Sequence, residues 1–312
     1  MNKLKQLIFY LICLLTVGQS MNAQEYVEIG SISEFLHLAE NAIVIEDQEH
    51  VLSLDDIIKA KYSNENIIEV ENHIPYMDFT SSSYWMRVKI QNTRSEEVLY
   101  YIELARPLTN KISLNILDEQ EHIITQMQAG DDLAFKERPY LHKNFIFPII
   151  IPANSKLNLI VEARSDGEIL KLPIKFWDID SFTQFASTEN FFLGLYYGLF
   201  LLVIVFFSFF GIALKQRIYL FFVSYVFFLG LFQFALDGLA YQYLWPDNPW
   251  LGNHAILILA ATSLICMLLY VRKFLEFSNK HKIYNKIYSL FIVLACLGLL
   301  QRFSSGTLYA FT

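Results

Sequence analysis

Cysteine is nearly missing from this chain. Cys13, Cys266 and Cys296 are its three thiols, each inside an apolar run. None falls between residues 24 and 190, so no disulfide framework staples that stretch and its stability rests on an ordinary core. No cysteine–histidine spacing suits a metal, and the seven histidines are scattered at 37, 50, 73, 122, 142, 254 and 281. The sequence has no GxSxG, HExxH, Walker A or GxGxxG, the patterns of nucleophile elbows, zinc sites and phosphate loops. Its adjacent carboxylates, Asp55–Asp56, Glu96–Glu97 and Asp131–Asp132, point to opposite faces when they lie on a strand and read as solvated turns. We therefore expect no enzyme, no catalytic or metal-binding residue and no cofactor.

Charge is scarce as well. Charged residues make up 18% of the chain, against about a quarter in an average globular domain. In their place stand 27 Phe and 18 Tyr, and 54% of the 312 residues are hydrophobic. Length alone suggests two or three soluble domains; this composition suggests a chain partly in lipid. Disorder, collagen-like repeats and a basic nucleic-acid-binding domain do not fit these numbers.

The charges that exist are divided. Residues 1–23 carry two Lys and no acid, residues 24–190 carry 14 Lys and Arg against 28 Asp and Glu, and residues 191–312 carry 8 against 3. An acidic, water-soluble segment thus precedes a very apolar, weakly basic one, with the boundary near 185–190. At the start, Lys3 and Lys5 precede an 11-residue apolar core, Leu7–Val17, and then Gly18 to Ala23. This is the order of a secretory signal peptide, cleaved after Ala23, with a core too short to span a bilayer.

Within 24–185 the pattern is one of strands. Ser31–Asn41 has a short helical pattern, and Leu54, Ile57 and Ile58 suggest a second helical turn. From Tyr84 the period becomes two: Tyr84, Met86, Val88 and Ile90 share one face, Trp85, Arg87, Lys89 and Gln91 the other. Further alternating runs centre on Val98–Leu104, Ile112–Ile116, Phe145–Ile149, Leu157–Ala163 and Leu172–Trp177. Short alternating strands with regular turns indicate an all-β sandwich or jelly roll, each strand with one buried and one wet face.

Residues 190–312 read as membrane helices. Phe191–Leu214 holds 24 residues without a charge, Ile218–Leu236 another 19, and Ala255–Val271 another 17, extended to His254. A fourth run, from Ile283, is apolar through Leu300 and is taken to residue 302. Such lengths suit spanning helices. Lys215 and Arg217 follow the first span, and Arg272, Lys273, Lys280, Lys282 and Lys286 follow the third, whereas Asp237 to Asn253 has no Lys or Arg. The positive-inside rule places the first and third loops in the cytoplasm. The export signal independently places residues 24–190 outside. Tyr241-Gln-Tyr-Leu-Trp245-Pro-Asp-Asn-Pro-Trp250 in the outer loop reads as an interfacial aromatic belt or as a ligand surface. Gly194 and Gly198 form a GxxxG that permits close helix packing, a route to a homodimer. No span holds an ionisable residue well inside it, so the usual signature of a proton or ion pathway is lacking.

Three stretches carry a family resemblance: Tyr84-Trp-Met-Arg-Val-Lys-Ile-Gln-Asn92; Gly130-Asp-Asp-Leu-Ala-Phe-Lys-Glu-Arg-Pro139 with Phe145-Ile-Phe-Pro148; and Tyr196-Tyr-Gly198 with Tyr241-Gln-Tyr-Leu-Trp-Pro246. In this order the chain resembles the bacterial seven-transmembrane receptors with diverse intracellular signalling modules. The resemblance implies a periplasmic jelly roll similar to carbohydrate-binding modules, seven spans, and a cytoplasmic output module. On that reading the chain stops after about four spans, partway through the membrane bundle.

The expected function is a receptor of the bacterial inner membrane. Its periplasmic β-domain binds a carbohydrate or related small molecule and relays this through the helices. The alternative is a membrane-anchored binding or assembly protein without output. Sugars stack on aromatic rings and hydrogen-bond to charged or amide groups. Trp85 and Arg87 on one strand, Tyr101 on the next, and Arg106, Arg138 and Tyr140 in adjoining loops are the candidate ligand-binding residues. Lipid is the other expected partner; nucleic acid is not.

Overall fold

The computed structural model describes residues 26–29, 35–68, 70, 74–165, 168–275 and 282–309. The signal-peptide reading of residues 1–23 lies outside them.

The N-terminal part is a β-sandwich. Strands β1 (Val27–Glu28), β2 (Phe35–His37), β3 (Ile43–Asp47), β4 (Ile67–Ile68) and β5 (Tyr76–Thr80) come first. They are followed by β6 (Ser83–Gln91), β7 (Val98–Leu104), β8 (Lys111–Leu117), β9 (Ile123–Ala129), β10 (Phe145–Ile151), β11 (Lys156–Arg164), β12 (Glu168–Lys171) and β13 (Ile174–Asp178). One sheet runs β4-β3-β6-β11-β8-β9, with β1 parallel beside the end of β6. The other runs β10-β7-β13-β2, and β12 and β5 pair separately. Long β6 and β11 pair in register over their full lengths, Tyr84 opposite Ala163 and Ile90 opposite Leu157.

The two-residue period makes the core. Tyr84, Met86, Val88 and Ile90 from one sheet meet Tyr100, Ile102, Leu104, Phe145, Phe147 and Phe176 from the other, all buried. Each buried aromatic ring removes about 150–250 Å² from water, which lets a disulfide-free domain hold together. Tyr100 also donates its hydroxyl to the Ile29 carbonyl at 3.1 Å, so its one polar atom is satisfied.

Two readings are corrected here. The helical pattern at Ser31–Asn41 gives strand β2, paired with β13 (Trp177 opposite Phe35), and a 3₁₀ turn at Leu38–Asn41; residues 31–34 lie outside the described set. Sheet pairing has overridden the local pattern. The second correction concerns Trp85, which is not on a wet face. It is 5% exposed and packs with Ile45, Ile57, Leu117 and Ile160 on the outer side of the larger sheet. Helix α1 (Leu54–Ile58) covers that patch. It begins with a capping box in which the Ser53 hydroxyl accepts from the Asp56 N–H and the Asp56 carboxylate accepts from the Ser53 N–H, satisfying two otherwise orphaned donors.

The helical part begins without a linker. Asp178, the last residue of β13, caps α2 (Ile179–Leu214), its carboxylate accepting from the Asp180 and Ser181 N–H groups. Then follow α3 (Arg217–Leu236), the short α4 (Leu239–Tyr243), α5 (Pro249–Phe274) and α6 (Lys282–Tyr309). Helices α2, α3 and α5 are long and apolar enough to cross a bilayer, and Ile283–Gly298 within α6 is a shorter apolar stretch. They pack in chain order, α2 on α3, α3 on α5 and α5 on α6. The span expected at 191–214 is thus the second part of a 36-residue helix.

Replacing Trp85 with Ala should destabilise the sandwich by about 3–5 kcal/mol, read as a lowered thermal midpoint of the full chain in detergent. A ligand-contacting role alone would leave the midpoint unchanged.

Candidate functional site

The outer face of the smaller sheet carries Tyr101 and Glu103 from β7, Ile146 from β10, and Lys175 and Trp177 from β13. The first turns of α2 lie on this face. Phe182, 2% exposed, packs with Ile146 and Trp177, and Tyr101 and Ala186 flank the cluster. Its ring stands 5.2 Å from Tyr101, 5.5 Å from His142 and 6.3 Å from Tyr140. One turn on, Phe185 stacks against Trp177 at 5.0 Å, and the Lys175 ammonium sits about 5 Å from the Phe35, Trp177 and Phe185 rings, within cation–π reach.

Beneath the helix is a buried acid. Glu103 is 1% exposed, and its two carboxylate oxygens accept from Asn144 Nδ2 and Trp177 Nε1, both at 2.7 Å. These bonds offset the cost of holding a carboxyl group away from water. Lys143 then reaches from the sandwich to Glu189 of α2 at 2.7 Å, with only 9% of the lysine side chain exposed. An ion pair so shielded loses far more when one partner is removed than a surface pair would. Glu103, Lys143, Asn144, Lys175, Glu189 and Asp237 line a cleft of about 240 Å³ between sandwich and helices.

A second contact hooks the sandwich onto the outer turn between α3 and α5. At Gly130 any Cβ would lie 2.0 Å from the Asn110 carbonyl oxygen, so only glycine lets the hook leave β9 there. Beyond it the Phe135 N–H donates to the Pro246 carbonyl at 2.8 Å, the Tyr241 hydroxyl donates to the Leu133 carbonyl, and Asn253 Nδ2 donates to Asp132. Arg138 is the centre of the hook. Its guanidinium lies 4.2 Å from the Phe145 ring, 4.6 Å from Phe135 and 5.6 Å from Tyr241. It donates to the His142 and Lys143 carbonyls at 2.8 and 2.7 Å. Burial pushes its pKa down to about 10, so it stays charged at neutral pH. Pro107 presses on Gly238, which adopts a left-handed φ of 75° and where a Cβ would come 2.5 Å from the proline.

At the outer end of the spans, the Asp237 carboxylate accepts from the Tyr197 hydroxyl of α2 and from Gln233 of α3. Two of the three stretches that carried the family resemblance therefore meet at one place, while the first, Tyr84–Asn92, runs along β6 of the larger sheet. Gly130–Pro139 forms the hook, Tyr241–Pro246 its receiving surface, and Tyr196–Gly198 the joint between the first two spans. The loop Tyr241–Trp250, read as a lipid belt or ligand surface, contributes Tyr241 and Pro246 to an interdomain contact, while Tyr243 and Leu244 stay exposed. Asp131, read as a solvated turn residue, is 6% exposed.

Of the ligand candidates, the structure brings Tyr101 and Tyr140 together, with ring centroids 5.3 Å apart, and places Arg138 on the same side of the domain. Arg106 lies apart, in a cleft of about 280 Å³ with Ala105, Ile169, Lys171 and Pro173. Trp85 and Arg87 lie on the opposite sheet. Arg87 pairs with Glu121 at 2.9 Å and donates to the Ile58 carbonyl at 3.2 Å. Sequence reasoning missed Lys143, Phe182 and Glu189; the only signal was an acid and a lysine placed among aromatics.

Residues 39–178 match the family described as 7TMR-DISM extracellular 2, and residues 189–312 match that described as 7TM diverse intracellular signalling. The chain belongs to the seven-transmembrane receptors with diverse intracellular signalling. It is a multi-pass membrane protein with an N-terminal outer domain. No curated protein matches it. Among solved structures it is similar to a family 35 carbohydrate binding module from Clostridium thermocellum at 13% identity, covering 47% of this chain and 99% of that one, with a TM-score of 0.23. It is also similar to the C-terminal CBM6 of LamC from Zobellia galactanivorans at 10% identity, covering 44% and 99%, TM-score 0.21. The lectin domain of lectinolysin complexed with Lewis B antigen is similar at 13% identity over 34% of this chain and 72% of that one, TM-score 0.22.

Two outcomes are expected. Gly238→Ala should undock the hook, because it adds both a steric clash and a strained φ. Hydrogen exchange at residues 130–140 should rise several-fold while the spans stay protected. The second concerns His142, whose pKa burial and the neighbouring Lys143 push down to about 4. The unfolded chain takes up this proton near pH 6.5 and the folded one only near 4, so stability present above pH 6.5 is lost as pH falls between these values. The loss amounts to roughly 3 kcal/mol at most. His142→Asn, which keeps an acceptor for the Asn144 N–H, should flatten the pH dependence of the melt across that window.

Proposed function

We propose that the sandwich, residues 24–185, is the ligand-sensing domain of a receptor in the bacterial inner membrane, and that residues 190–312 carry its signal inward. The observation that supports this reading is the continuity of β13 with α2, together with the seating of Phe182, Phe185 and Glu189 on the sandwich. A sheet that shifts on binding moves the first span directly, with no flexible linker to absorb the motion. A carbohydrate or related small molecule is the proposed ligand. Tyr101 with Tyr140, which is 38% exposed, offers a stacking surface at the margin of the α2 seat. A ligand there would touch the same side chains that hold the helix. Cytoplasmic output belongs to a module reached through the helices.

The second reading is an anchored binding protein that transmits nothing. It predicts that ligand stabilises the sandwich alone. The test is a thermal-shift screen of the full chain in nanodiscs against glycans and small metabolites. A ligand at one hundred times its Kd should stabilise by about 2.7 kcal/mol. Hydrogen exchange of Ile179–Glu189 should then change with the ligand that scores. Glu189→Gln should keep the ligand-induced rise in melting temperature but lose the exchange response in α2. Binding with unchanged exchange in the wild-type helix would favour the anchored binder.

A further inference from the structure

Between the inner ends of α2 and α3 lies an open groove of about 440 Å³ that the receptor reading leaves unused. This falls within the range of small-molecule pockets, about 300–1,000 Å³. Its walls are apolar, with Phe207, Gly211 and Ile212 on α2 and Tyr219, Leu220 and Val223 on α3. Its mouth is cationic, because Lys215 and Arg217 line the same groove on the turn joining the two helices. Both are exposed, and among the described residues no carboxylate pairs with either. With the N-terminal domain outside, this turn lies at the cytoplasmic leaflet, which carries the anionic lipids. Lys215 also occupies a left-handed position, φ 53°, after the last residue of α2, where helices usually place glycine. The partial positive charge at the start of α3 adds to the two side-chain cations.

An apolar slot closed at its cytoplasmic end by two unpaired cations matches one occupant, a lipid with an acyl chain and a negative headgroup. We propose that the groove between α2 and α3 is a binding site for an anionic phospholipid of the inner leaflet, its phosphate held by Lys215 and Arg217 and one acyl chain lying along Ile212, Tyr219 and Leu220. A free phosphate would leave the apolar walls uncovered. A zwitterionic lipid would fill the slot without satisfying the charge.

The test is native mass spectrometry of the full-length receptor from mixed micelles of phosphatidylglycerol and phosphatidylcholine, with melting temperature followed in nanodiscs of each lipid. We expect one phosphatidylglycerol to be retained per chain and the anionic nanodisc to raise the midpoint. Lys215→Gln with Arg217→Gln should weaken retention about 25-fold, since each cation near the surface contributes about fivefold. Lys215→Arg with Arg217→Lys should restore it, which guards against misfolding as the cause. Ile212→Trp should also abolish retention by filling the slot with both cations intact. Arg272→Gln with Lys273→Gln removes the same charge from the other inner loop and should leave retention unchanged. Equal loss in that control would mean a general surface potential and would overturn the site. Retention that is insensitive to Ile212→Trp, or equal for phosphatidylcholine, would overturn it too, as would no retained lipid at all, the result expected if another helix or a second copy fills the groove.

Discussion

The structure depends on the dry contact between the outer face of the smaller sheet and the first turns of α2. A sandwich strand normally buries one side and wets the other. Here β7, β10 and β13 also bury part of the other side, because Ile146, Trp177 and Phe182 form a second apolar layer. The consequence for polar groups is severe. Glu103 sits in this layer and could not remain there without the Asn144 and Trp177 donors. Lys143 and Glu189 likewise satisfy one another across the seam. Removing α2 would expose the aromatic layer and leave these groups among the wrong neighbours. The helix is therefore part of the outer domain for its first three turns and part of the membrane bundle thereafter.

The hook explains a different requirement. A domain joined to a bundle by one helix could still pivot about that helix. The Gly130–Pro139 segment removes this freedom by binding the turn between α3 and α5. Its strength lies in Arg138, which stacks on three rings and draws two carbonyls together, and not in the Lys136–Asp247 pair. That pair is about 70% exposed on both sides and contributes little in water. Two separate contacts, one on α2 and one beyond α3, therefore set the orientation of the sandwich on the membrane.

Much of this architecture was legible because its periods are enforced by solvent. Lipid demands an unbroken apolar run, so α3 was visible to within a residue and α5 to within a few, whereas α2 was visible only from Phe191 on, because its first three turns lie outside the apolar run. Water on one side demands alternation, so β6, β7, β8, β10 and β11 were visible too. What alternation cannot say is whether the second face of a strand is covered later. Trp85 alternates like a wet-face residue, yet α1, some thirty residues earlier in the chain, closes over it. Tyr101 and Trp177 are covered in the same way by α2. The short strands β3, β5 and β12 were missed because pairing with longer neighbours, and not their own pattern, holds them. The hook was legible as a motif but not as a contact, since its partner Tyr241 lies more than one hundred residues away.

Asp237 shows why the two contacts act as one. It closes α3, accepts from Tyr197 of α2, and lines the cleft that also holds Glu103, Lys143 and Glu189. The next residue, Gly238, takes the pressure of Pro107 from the sandwich. Thus the end of α3 touches both α2 and the β-domain within two residues. If α2 tilts on its seat, the Tyr197 hydroxyl must carry Asp237 with it or let it go. If it carries Asp237, Gly238 moves with it against Pro107, which already stands where a Cβ would sit. On the proposed receptor reading, a small shift of the sheet would be resolved at this joint into either of two arrangements, bonded or released. Packed interfaces of this kind change in steps and do not deform smoothly.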